Sequence, residues 1–147
     1  MTTEIATTQH TPEERNWAMA AHLSALVAIV GIPFGHVIGP LVVYLIQRDK
    51  SPFAAAHARD SLNFQITLSL AAVLLFILVF AGWAALLVQL PEGAQSPLPF
   101  WIFGGWMVVA CVALAAAIGA IALIVAGAVA ASKDQPYRYP FAISFVH

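Results

Sequence analysis

Six residues could do chemistry in a chain that otherwise offers little: His57, Arg59, Asp60, Asn63 and Gln65 in the stretch "HARDSLNFQITLSL", and His22 in "WAMAAHLSAL". Two imidazoles, a guanidinium, a carboxylate and two amides can exchange protons, hold one another or grip a ligand. Their spacing decides what is offered. Arg59 and Asn63 are four residues apart and share a helix face, and His57 and Asp60, three apart, share a neighbouring one. This arrangement suits local pairing where a helix enters an apolar layer. Asn63, Gln65, Thr67 and Ser69 continue inward, where an amide costs free energy unless it finds a partner, so they should face other helices. His22 and Ser24, themselves inside an apolar run, are the natural partners, and a hydrogen-bonded contact cluster is the expected outcome. A substrate or proton path is the sharper alternative.

Other chemistries find no support in the spacing. His10, His22, His36, His57 and His147 form no H-E-x-x-H or Cys/His pattern, so no metal site is expected. There is no Gly-rich phosphate loop or nucleophile elbow, and neither a cofactor nor an enzyme is expected. The one cysteine, Cys111, lies in an apolar run and reads as a small packing residue.

The elements that must position the six residues follow from composition. Hydrophobic residues make up 61% and charged residues 9%, against roughly 45–50% and about 25% in a soluble domain. This is the composition of a membrane protein, with the lipid bilayer as its partner. The net charge of −1, without a basic cluster, implies no nucleic acid. Residues 1–10 read as a flexible polar tail, and the stretch from Trp17 to Ile46 is too long for a cleaved signal core.

A helix should start at "TPEE", where Thr11 and Glu14 form a capping box around Pro12. Gly31, Gly35 and Gly39 then recur every four residues with Pro33 and Pro40 between them. Either one kinked helix displays a G-x-x-x-G face, or the chain breaks and returns as a hairpin. Ser51 and Pro52 start the next helix, "PEGAQSPLP" is a turn, and a last apolar run covers Phe100 to Ala131. Helices are thus expected at about 12–31, 35–48, 52–90 and 99–132. In the last, Ala115, Gly119, Gly127 and Ala131 offer a small-residue packing face. The tail "YRYPFAISF" alternates with a period of two and reads as an extended strip at the membrane interface, over about 136–146.

The fold class is therefore all-α, a polytopic bundle of three to four transmembrane helices in one domain over 11–147. The basic residues Arg15, Arg48, Lys50, Arg59, Lys133 and Arg138 place the 47–61 loop and the C-terminal tail in the cytoplasm, with the 91–99 loop outside. A hairpin over residues 17–46 would put all six on the cytoplasmic side of a bacterial inner membrane.

"ERNWAMAAHLSAL", "IPFGHVIGPLVVYLIQRDKSPFAAAHARDSLNFQITL" and "PYRYPFAISF" resemble the bacterial membrane family called domain of unknown function 4870, grouped with the Tic20-like proteins, over about residues 13–147. The resemblance implies four membrane helices with both termini on one side. It also implies a role near protein translocation or envelope maintenance, as a helix-packing subunit or accessory factor with itself or another membrane protein as partner. The alternative is a homo-oligomeric small-solute or ion channel, since so few helices cannot enclose a pore alone. An intramembrane enzyme is a distant third.

Overall fold

The computed structural model describes residues 9–89 and 100–147. The expected turn at 91–99 and most of the expected flexible tail, 1–8, lie outside these residues. The described chain is helical: α1 is Pro12–Leu23, continued by a 3-10 segment at Ser24–Val30, and is followed by α2, Gly35–Gln47, α3, Pro52–Val88, and α4, Phe100–Ser132.

The start of α1 is fixed by its capping box. The Thr11 hydroxyl accepts from the Glu14 N–H at 3.2 Å, and the Glu14 carboxylate accepts from the Thr11 N–H at 2.9 Å. The same carboxylate accepts the Ser51 hydroxyl at 2.9 Å, tying α1 to the residue that precedes α3.

The choice between kinked helix and hairpin falls to the hairpin. Gly31 (φ 85°) and Phe34 (φ 57°) are left-handed and bracket Pro33, so the chain reverses there. The glycine spacing serves the reversal. A Cβ on Gly39 would lie 2.5 Å from the Ser24 carbonyl oxygen, and one on Gly35 would lie 3.1 Å from the Ala28 nitrogen. The two arms approach so closely because no side chain stands between them. At 13 residues α2 is about 20 Å long, short of the roughly 30 Å of a hydrocarbon core.

The chain divides into two compact units. The first comprises residues up to Thr67 together with Ile121–His147, and the second comprises Leu68–Ala120. The first has a core of alanines. Ala18, Ala54 and Ala131 meet in one cluster flanked by Trp17, Met19 and Phe53, and Ala21, Val43 and Ala58 meet in another flanked by Trp17 and Tyr44. Ala131 and Gly127, from the expected small-residue face of α4, are buried here.

The second unit consists of the apolar parts of α3 and α4. Trp83 and Trp106 stack at 5.6 Å, Phe76 and Phe80 lie 4.4 Å apart, and Gly105 faces the Trp83 ring. Gly119 has nothing within 4 Å, and Cys111 is exposed rather than packed. Two helices, Pro52–Val88 and Phe103–Ser132, are long and apolar enough to cross a membrane, and their most hydrophobic stretches are 0% and 6% buried.

Candidate functional site

Two polar side chains of the first unit, His57 and Tyr139, meet the ring of His22. The α1 capping box and the alanine contacts set the register that turns the His22 side chain inward, where it is 0% exposed. Its Nδ1 is 2.7 Å from the Tyr139 hydroxyl and its Nε2 is 2.8 Å from Nδ1 of His57, on α3. Both ring nitrogens are therefore partnered, as a buried imidazole requires. A link between two ring nitrogens needs one N–H and one lone pair, so at least one of the two imidazoles is neutral.

Gly127 makes room for this arrangement. A Cβ there would lie 2.8 Å from His22 Nδ1, so α4 can pass the ring only with glycine at that position. Tyr137 meets the His22 ring edge-on at 5.9 Å, and Phe64 stacks on Tyr139 at 4.1 Å. Burial pushes the Tyr139 phenol above its ordinary range, which keeps the hydroxyl protonated beside the imidazole.

Asn63 holds the tail. Its side-chain oxygen accepts from the backbone N–H groups of Phe145 (3.0 Å) and Val146 (2.9 Å), and its side-chain nitrogen donates to the Val146 carbonyl at 3.0 Å. One turn further on, Thr67 accepts the Ile143 N–H at 3.0 Å while donating to the Asn63 carbonyl at 2.8 Å. The tail has no regular secondary structure, and its simple alternation ends at Pro140 and Phe141. Phe141 adopts φ 64° and is 94% exposed, whereas Tyr139 is buried.

At the N-terminal end, His10 stacks on Phe53 at 4.0 Å. Its Nδ1 lies 2.6 Å from the Asp134 carboxylate, which also accepts the His10 N–H at 3.1 Å. Burial alone would raise the Asp134 pKa, but the two His10 hydrogen bonds and the nearby charges of His10 and Arg15 outweigh it and hold the carboxyl below its ordinary value.

The structure thus brings together His22 and His57 from the sequence-derived set and distributes the rest differently. Asn63 bonds to the tail rather than to the first hairpin, because the tail backbone offers it two N–H groups and a carbonyl within reach. Ser24 donates to the Ala21 carbonyl of its own helix turn. His57 turns to His22 instead of Asp60, and Arg59 and Asp60 are half-buried beside a cavity with Arg138. Gln65 is buried. Tyr139 and Gly127 are the site residues that local reasoning missed. The available signals were a tyrosine hydroxyl needing a partner when buried and a glycine in a helix interior, and neither indicates what it meets. No group of metal-ligating side chains is found among the described residues.

Two long helices whose most apolar stretches are almost wholly exposed define a small helical membrane protein. The chain belongs to the magnetosome magnetite crystal formation protein family, whose model matches residues 13–146. This corrects the resemblance to the domain of unknown function 4870 and Tic20-like proteins, and the translocation role it implied falls with it. The segments that carried the resemblance all lie within or beside the matched stretch. Their Gly/Pro breaks and helix entries are features that short membrane hairpins demand in general, and so discriminate poorly between families. Neither a curated protein nor a solved structure matches the chain.

Proposed function

We propose that this protein is a multi-pass component of the magnetosome membrane and acts in magnetite crystal formation as a helix-packing accessory factor. The observation that carries the reading is the family match, which spans both units and ends in the tail that Asn63 holds. The six lysines and arginines support one orientation. All fall in the first unit and none in residues 68–120, so the positive-inside bias puts the first unit on the cytoplasmic side. The links His10 to Asp134 and Glu14 to Ser51 are consistent with this, since they join the starts of α1 and α3 to the end of α4.

The test is deletion of the gene in a magnetite-forming host, with crystal number, size and shape measured by electron microscopy. Altered crystals are expected, restored by the wild-type gene and not by an Asn63→Leu copy made at equal level. Unchanged crystals after deletion would overturn the reading. Fusion of a cytoplasm-dependent reporter to the C-terminus should give signal, and a fusion within 91–99 should not.

A further inference from the structure

A second polar feature of the first unit adjoins the His22 network at Tyr139. An open cavity of about 320 Å³ has Arg59, Asp60, Asn63, Arg138, Tyr139 and Ser144 among its walls, at the small end of the range typical of ligand pockets. Two of these groups are already committed, Tyr139 to His22 and Asn63 to the tail backbone. The guanidiniums are not. Among the described residues neither Arg59 nor Arg138 makes a hydrogen bond or a close ion pair, and the Ser144 hydroxyl is likewise unengaged.

Asp60 is the one carboxylate side chain on the wall, and it lies within electrostatic reach of both arginines. Among the lining side chains, two guanidiniums stand against one carboxylate, and His147, the last residue of the sequence, also lines the wall. The depth of the cavity is set by α3. Arg59 stands two turns before the predominantly apolar stretch that begins near Ile66, at the level where headgroups meet hydrocarbon. Arg138 comes to the same place because Asn63 and Thr67 fold the tail back along α3.

We propose that this cavity binds a phosphate-bearing anion, gripped by Arg59, Arg138 and Ser144. Guanidiniums suit phosphate because their planar fork can give two parallel hydrogen bonds to its oxygens. The phosphate can be the headgroup of an anionic phospholipid or free inorganic phosphate. The assignment is independent of the role in mineral formation, and its assay needs no crystals.

The experiment measures thermal unfolding and native-mass binding of the full chain in a neutral detergent, with added phosphatidylglycerol, phosphatidylcholine or inorganic phosphate. Phosphatidylglycerol is expected to raise the unfolding temperature and phosphatidylcholine to leave it unchanged. Arg59→Gln and Arg138→Gln should each weaken binding roughly tenfold while unfolding like the wild type without lipid. Asp60→Asn should bind more tightly, the opposite of what a cation site would give. An equal, arginine-dependent shift with inorganic phosphate alone would make the free anion the ligand and remove the lipid as its source. Equal stabilisation by both lipids, or wild-type binding by Arg138→Gln, would overturn the proposal. Arg138 is on the exposed tail, so its variant carries the test even if Arg59→Gln fails to fold.

Discussion

Along α3 the chain passes from one solution of the burial problem to its inverse. From Ser61 to Gln65 every residue is buried, among them a serine, an asparagine and a glutamine, whereas from Leu70 to Leu78 every residue is exposed, almost all of them large and apolar. The first unit buries polar groups among partners: Asn63 bonds to the tail, and His22 bonds to His57 and Tyr139. The second turns leucine and phenylalanine outward, which a bilayer tolerates and water penalises. The difference teaches that the folding specificity of this protein resides in the first unit, where partners are fixed by geometry. The second unit is defined chiefly by length and hydropathy.

Paired glycine substitutions break this comparison most sharply. Gly39→Leu forces a side chain into the Ser24 backbone and should cost about 3 kcal/mol, read as loss of a folded, monodisperse species in detergent. Gly82→Ala, with nothing within 4 Å, should be neutral or stabilise by about 0.5–1 kcal/mol. Equal damage from both would erase the distinction between the units. Next comes Asn63→Leu, which abolishes three hydrogen bonds to the tail and should cost about 2–3 kcal/mol. Limited proteolysis should then cut after Arg138 much faster than in the wild type.

Smaller effects sharpen the comparison. Gly127→Ala sets a methyl group against the His22 ring and should destabilise by about 1–3 kcal/mol, whereas Gly119→Ala on the same helix should not. Tyr139→Phe leaves His22 Nδ1 without its hydroxyl partner, and denaturation should report a loss of about 1–2 kcal/mol.

The smallest effect is a pH dependence at Glu14. The Thr11 N–H, then the Ser51 and Thr11 hydroxyls, hold its carboxyl below the ordinary value. A lowered folded-state pKa contributes stability that is complete above the unfolded value and fades as the pH falls through the folded one. Wild type and Glu14→Gln should therefore differ in unfolding temperature at neutral pH. The gap should close below the ordinary glutamate range, about pH 4.3. A gap that persists at low pH would assign the difference to packing instead of charge.

Much of the helical framework could be read locally. Thr11, Pro12 and Glu14 announce α1, and Ser51 and Pro52 announce α3, because caps act on their own few residues, whereas Gly31 and Pro33 left a kink and a reversal both open. The candidate site was legible only in part. That His22 and Asn63 needed partners followed from their apolar surroundings, but the partners are 117 and 82–83 residues away in sequence.

The sequence by itself determined that this chain is helical, where α1 and α3 begin, and that the last two helices are apolar enough to cross a bilayer. Such properties depend on propensity and hydropathy, which neighbouring residues set. Only the tertiary structure decided that His22 joins His57 to Tyr139, that Asn63 holds the tail instead of the hairpin, and that Arg59 and Arg138 share a cavity. A hydrogen bond is satisfied by whichever donor or acceptor the packing brings within about 3 Å, and nothing in a linear chain specifies that distance.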